Sequence, residues 1–315
     1  MGKDENVHTA YKNYAPEAQE QKLPGGDVDM EPLAEHASLL SSLAMTKVER
    51  WHRGEPRLEE YVGSGKLKGK KAIITGGDSG IGRTVAAFFA REGCDVTIGY
   101  LKEEEKDAQE TKKLVEAAGQ KCLLVPGDLV FQETRDQLVA AHLKEYQYLD
   151  ILVNNASQQI QCPDIADIDM DNVEHTFKAN IIQYIGLTKA AIPHLKRGDV
   201  IINTTSVTAY KGSAGMLDYS ASKGAMATFT RSLATQVFGK GIRVCGVAPG
   251  PVYTPLQPAS RPAEQMEDWS VGSSSVLNGR VGQPAELGES YVYLATSELS
   301  TGTIVHPNSG QYFIP

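Results

Sequence analysis

A tyrosine and a lysine stand four apart in the segment Tyr219-Ser220-Ala221-Ser222-Lys223. On a helix, that spacing puts both side chains on one face. A free tyrosine ionises near pH ~10, too high for an efficient base at neutral pH. A neighbouring ammonium favours the phenolate, so the pair is suited to general acid/base work. Ser206 lies thirteen residues before Tyr219, at the end of the apolar run DVIINTTS. A hydroxyl at a strand end can hydrogen-bond a carbonyl and stabilise the alkoxide that develops from it. Thr204, Thr205 and Thr208 offer neighbouring hydroxyls, but the spacing favours Ser206.

A second cluster is built from glycine. TGGDSGIG, from Thr75 to Gly82, follows an apolar run and opens an amphipathic one. Gly76, Gly80 and Gly82 allow tight turning and close backbone approach. Ser79 and Ile81 sit between them. The free N–H groups and positive dipole end of the following helix suit a phosphate. In a strand-turn-helix setting this pattern reads as a dinucleotide-binding loop.

The elements that must position these groups follow a regular rhythm from Lys66 onward. Apolar strands are predicted at KKAIIT, CDVTIGY, KCLLVPGDL, LDILVNNAS, DVIINTTS, GIRVCGVAPG and TGTIVHP. Helical segments separate them, including the long MDNVEHTFKANIIQYIGLTKAAIPHLK and LDYSASKGAMATFTRSLATQVFG. Strands alternating with helices imply βαβ units and a parallel sheet. The expected fold is α/β, one doubly wound parallel sheet of Rossmann type spanning residues 66–315.

Residues 1–65 differ. They read as an N-terminal arm, largely extended and rich in proline and charge, with a helical part from Pro32 to about Arg53. Leu33, Ala37, Leu40, Ala44, Lys47 and Val48 fall near helical spacing. Trp51 and Tyr61 would anchor the arm to its own domain or to a neighbouring subunit.

TGGDSGIG, together with the ordered set Asn180, Ser206, Tyr219 and Lys223, resembles the classical short-chain dehydrogenase/reductase family. The arm and NNAS-Gln158-Gln159 are similar to its N-terminally extended glucose/ribitol dehydrogenase homologues, so the resemblance covers nearly the whole chain. It implies a nicotinamide-dependent oxidoreductase that interconverts a carbonyl and an alcohol of a small molecule. By the same resemblance Tyr219 is the acid/base, Lys223 lowers its pKa and holds the ribose, and Ser206 polarises the carbonyl. Asn180 supports a water that relays protons.

The resemblance also implies cofactor contacts. Asp128 would meet the adenine, with Leu129 beside it; an N-cap is the other reading of Asp128. Asn155, Ala156 and Ser157 would run beside the cofactor, Ser157 standing where the family has glycine. Pro249, Gly250, Val252 and Thr254 would hold the nicotinamide. Twenty-five residues beyond Thr75 comes Tyr100, with Lys102 close by, and no carboxylate at the discriminating position. That favours NADP over NAD, although Glu103, Glu104 and Glu105 weigh the other way unless they open the next helix. The polar stretch after Leu256 would cover the substrate, with Met266 and Trp269 lining a pocket or facing a surface helix.

The whole composition agrees. The 315 residues carry 31 basic and 39 acidic side chains, a net charge of −8, with a pI near 5.5. This argues against nucleic-acid and anionic-membrane partners. The cysteines Cys94, Cys122, Cys162 and Cys245 form no metal-binding spacing, so no metal is expected. Free buried thiols and the lack of an apolar leader point to a cytoplasmic protein. The family's pairing of its long crossover helices implies a homotetramer. Two rival readings are a redox-neutral enzyme on the same scaffold and a non-catalytic dinucleotide sensor.

Overall fold

The computed structural model describes residues 7–11, 19–31, 47–260 and 277–313. After a 3-10 turn at Asp27–Asp29, the first strands among the described residues form a hairpin. Arg53 and Gly54 both hold positive φ, 53° and 90°, the backbone of a two-residue turn matched to strand twist. The flanking strands β1 (Lys47–His52) and β2 (Glu55–Glu60) pair antiparallel, with His52 opposite Glu55. The helical spacing read through Lys47 and Val48 is therefore corrected to a strand, because the tight Arg-Gly turn dominates. The remainder of that stretch, 32–46, lies outside the described residues, as do Met266 and Trp269.

Strands covered on both faces read as unbroken apolar runs, and the central strands do so here. They are β3 (Lys71–Thr75), β4 (Asp95–Tyr100), β5 (Cys122–Pro126), β6 (Ile151–Asn154), β7 (Val200–Thr204), β8 (Arg243–Val247) and β9 (Ile304–Val305). Their order is β5-β4-β3-β6-β7-β8-β9, and every pair is parallel. Successive side chains point to opposite faces. Ala72 and Ile74 accordingly join Phe88 and Tyr291 in one core, while Ile73 joins Leu138, Leu187 and Leu233 in the other.

Helices α1 (Gly80–Arg91) and α2 (Glu105–Ala117) cover the first face. The second carries α3 (Gln132–Tyr146), α5 (Gln183–Ala191) and α7 (Leu217–Val237). The predicted long helix before β7 is interrupted. It runs as α4 (Met170–Phe177), a π-turn over Lys178–Ile182, and then α5. Two short helices, α6 (Thr208–Lys211) and α8 (Leu256–Ser260), flank α7 and β8. The last helix, α9 (Gly288–Thr296), was not read from the sequence. A 3-10 turn, Pro284–Leu287, leads into it, and that turn carries a local signal: a capping box between Gln283 and Glu286 with Pro in its first turn.

The strand order reverses at β3, which lies between β4 and β6. Ligands of open α/β sheets bind beyond the carboxyl ends of the strands at such a switch point.

The arm packs on this domain. Tyr11 is buried under the Arg280 guanidinium, 4.7 Å from its ring, and its hydroxyl accepts the Glu49 N–H. Arg280 also bonds Glu49 at 2.9 Å and Glu286 at 2.8 Å. Tyr61 stacks on Phe88 at 4.2 Å, whereas Trp51 lies 43% exposed.

His142 of α3 is wholly buried. Its ring nitrogens meet the Thr97 hydroxyl at 2.8 Å and the Tyr148 carbonyl at 3.1 Å. Burial pushes it down to about 4. A histidine kept neutral in the fold stabilises it above the unfolded pKa near ~6.5, and loses that contribution as pH falls toward about 4. Between about pH 7.5 and pH 5 the contribution of His142 should fall by about 2 kcal/mol, read in urea unfolding as the difference in pH dependence between the wild type and His142→Gln.

Candidate active site

The glycine loop leaves the end of β3 as the fold demands. Gly76 has φ +58° and donates its N–H to the Gly99 carbonyl at 2.8 Å. Ser79 is the N-cap residue of α1, and Gly80 has φ +50°. The Thr75 hydroxyl accepts the N–H groups of Asn155 at 2.8 Å and Ala156 at 3.0 Å. The Asn155 amide returns to the Thr75 carbonyl at 3.1 Å and the Gly76 carbonyl at 3.2 Å. These bonds lock the loop to the end of β6.

One cavity runs along the carboxyl ends of these strands. Gly76, Ser79, Gly80 and Ile81 line it, with Tyr100, Leu129, Asn155, Ala156 and Ser157. Pro249, Gly250, Val252, Thr254, Ser206, Tyr219 and Lys223 continue the lining. Gly82, Lys102, Asp128 and Asn180 do not line it. A second cavity of about 420 Å³ adjoins it, with Gln159, Gln161, Lys211 and Ser213 on its walls. Ser206, Tyr219, Gly250 and Gln257 border both cavities. The Ser206 and Tyr219 hydroxyls thus stand where the groove meets a polar chamber.

Lys223 is 1% exposed, and its ammonium donates to the Thr204 carbonyl at 3.0 Å. Nζ lies 5.5 Å from the centre of the Tyr219 ring. Burial pushes Lys223 down to about 7. The Ser206 hydroxyl oxygen accepts the Thr208 N–H at 3.2 Å and the Thr208 hydroxyl at 3.1 Å. Its own proton can then be directed at a ligand oxygen.

Asn180 sits within the π-turn, and its side chain is wholly committed. Oδ1 accepts the Gln158 N–H at 2.7 Å and the Ser157 hydroxyl at 3.0 Å. Nδ2 donates to the Gln158 carbonyl at 2.8 Å and the Ser222 hydroxyl at 3.1 Å. Any water held at Asn180 must therefore use its backbone, which a π-turn draws off the regular helical ladder. Ser157 takes one of these four bonds. Ser157→Gly should cost about 1 kcal/mol in urea unfolding while the Gln158 bond keeps Asn180 in place.

The part of the groove beside Tyr100 differs from the sequence reading. Lys102 is exposed, in a 3-10 turn over Lys102–Glu104. That turn folds the Glu104 carboxylate back onto the Leu101 N–H at 3.0 Å and into the cavity lining. Asp78 lines the cavity too, and both its buried oxygens lack a hydrogen-bond partner. Burial raises both carboxyls above the ordinary range; the charge of Asp78 adds to the rise at Glu104, and that of Asp107 adds to the rise at Asp78. The Tyr100 hydroxyl donates to Glu105. Asp128 accepts the Val130 N–H at 2.9 Å, closing the turn before α3. Sequence spacing missed Asp78 and Glu104 because each looked like part of a turn or a helix start.

Comparison with known proteins places this architecture. Residues 70–265 match the family model for short chain dehydrogenase. The NADPH-dependent aldehyde reductase 1, chloroplastic, of Arabidopsis thaliana is 47% identical over 80% of this chain and 89% of its own length. The glucose and ribitol dehydrogenase of Daucus carota is 40% identical over 94% of this chain and 96% of its own. A short chain dehydrogenase from Burkholderia cenocepacia J2315, solved in complex with NADP, superposes with a TM-score of 0.71 at 28% identity, covering 78% of this chain and 99% of that one. No helix among the described residues is long and apolar enough to cross a membrane. With its glycine loop on a seven-stranded parallel sheet and a matching family model over more than half its length, this chain belongs to the short-chain dehydrogenase/reductase family.

Proposed function

We propose that the protein is an NADP(H)-dependent oxidoreductase that interconverts a carbonyl and an alcohol of a small polar molecule. The carrying observation is that Ser206 and Tyr219 border both the loop-lined groove and the polar chamber. The groove fits a nicotinamide dinucleotide: it offers a glycine loop at a helix start, a cation in Lys223, and carboxyl oxygens on Asp78 that lack a partner. When bound, the nicotinamide supplies or takes the hydride.

The chain's own groups do the rest. Ser206 donates a hydrogen bond to the substrate oxygen and favours the charge that develops there. In reduction, Tyr219 gives its phenolic proton to that oxygen; in oxidation, it takes the proton back. The Lys223 ammonium, near the phenol, favours the phenolate in the latter direction. Burial lowers the Lys223 pKa, and an anionic neighbour such as the ionised phenol would favour its charged form.

NADP(H) is favoured by the named cofactors of the Arabidopsis relative and the Burkholderia structure. NAD(H) is the second reading, because Asp78 and Glu104 at the adenosine end would accept ribose hydroxyls and repel a 2′-phosphate when ionised. A cytoplasmic homotetramer completes the proposal. The four cysteines are free, and apolar side chains exposed on α4 and α5, Met170 and Ile185, suit subunit contact.

Parallel fluorescence titrations with NADPH and NADH test the cofactor assignment. NADPH binding at least about tenfold tighter, ~1.4 kcal/mol, supports it. Tighter NADH binding transfers the assignment to the carboxyl pair, and binding of neither removes the oxidoreductase reading.

A further inference from the structure

The arm does more than cover the domain. Its residues 19–31 run beside the dinucleotide groove. Pro24 and Gly25 line the groove itself, beside Ser79 and Gly80. Gln21 donates its N–H to the Pro258 carbonyl at 3.0 Å, on the segment that follows Thr254. Its side-chain oxygen accepts the Gly26 N–H at 2.8 Å, which closes the turn.

Asp27 is fully buried, and Oδ2 accepts the Gly80 N–H at 2.8 Å. It therefore takes one of the orphan donors at the start of α1, the donors that otherwise serve a phosphate. An anion there would normally weaken the helix end for a second anion. Arg83 offsets it: Nη1 is 3.3 Å from Asp27 and Nη2 is 2.6 Å from Asp107 of α2. Nε donates to the Asp78 carbonyl at 2.8 Å. One guanidinium is thereby shared between Asp27 and Asp107, which offsets part of the negative charge that Asp27 brings to the start of α1. The fit is close. A side chain at Gly25, where φ is +83°, would place its Cβ 2.8 Å from both the Pro255 carbonyl oxygen and Ala259 Cβ.

We propose that the arm is a component of the dinucleotide site: the Pro24–Asp27 turn walls the diphosphate subsite, and Asp27 positions the loop that receives the diphosphate. This rests on the reading of the groove as a dinucleotide site. The arm and the dinucleotide then stabilise one another, since coupling between two binding events is reciprocal. Asp27 is a positioning residue, acting through Gly80 and Arg83.

The test uses the full chain as wild type, Gly25→Val, Asp27→Asn and Asp27→Ala. NADPH and NADH affinities are measured by fluorescence titration, and hydrogen exchange over residues 19–31 is followed with and without saturating NADPH. Exchange on the wild type needs no variant to fold. The expected result is slowed exchange at 19–31 when NADPH is bound. The dissociation constant should rise at least about tenfold in Gly25→Val and Asp27→Ala. The rise should be smaller in Asp27→Asn, which keeps an acceptor for Gly80. Unchanged affinity in every folded variant, or exchange indifferent to NADPH in the wild type, overturns the arm's role and leaves the groove assignment standing. Failure of the wild type to bind either nucleotide overturns both.

Discussion

Tyr219→Phe should lower kcat by about 10²–10⁴-fold, the range that a positioned proton donor contributes. The phenyl ring keeps the packing of a side chain that is 8% exposed, so the variant should fold and melt like the wild type. NADPH affinity should stay within about twofold, because the glycine loop and Lys223 are untouched. Affinity, thermal melting and single-turnover reduction of an aldehyde, measured together, separate a lost proton from a lost site. A variant with near-normal turnover would show that another group carries the proton, and would favour the redox-neutral or non-catalytic readings.

Gly82→Ala should abolish dinucleotide binding by a different route. The added Cβ would fall 1.8 Å from the Gly76 carbonyl oxygen and 2.8 Å from the Asn155 amide nitrogen. Both neighbours belong to the loop's own scaffold, so neither can move without opening the tie to β6. Overpacking of this kind typically costs about 1–3 kcal/mol, and more where backbone must shift. The NADPH dissociation constant should rise at least about a hundredfold. Gly239→Ala, where an added Cβ meets nothing within 4 Å, is the control and should bind normally. Gly82 does not line the groove; its effect would come entirely through the loop's shape.

What was legible in the sequence was local. The glycine spacing, the Tyr-Lys pair and Ser206 depend on short-range geometry, and the parallel sheet brings their strand ends to one edge. Unbroken apolar runs such as Ala72–Ile74 marked the buried strands for the same reason. The less legible features depend on distant parts of the chain. Asp27 reads as one acid in a polar arm, and only the fold sets it against Gly80 and Arg83. Glu104 reads as part of a helix start, and a 3-10 turn brings it to the groove instead. The hairpin at Lys47–Glu60 was hidden because Arg53-Gly54 is a less familiar turn pair than Asn-Gly. The four bonds of Asn180 could not be foreseen, since two of them go to Gln158 of a different loop.

The central claim is hydride exchange between a nicotinamide dinucleotide and a carbonyl, with Tyr219 moving the proton. Its most direct test is to supply the protein with [4-²H₂]NADPH and a panel of polar aldehydes, then to analyse the products by mass spectrometry. The account expects one deuterium on the carbinol carbon of the product alcohol and one NADP⁺ formed per alcohol, both lost in Tyr219→Phe. An unlabelled or isomerised product formed without net consumption of NADPH would contradict it.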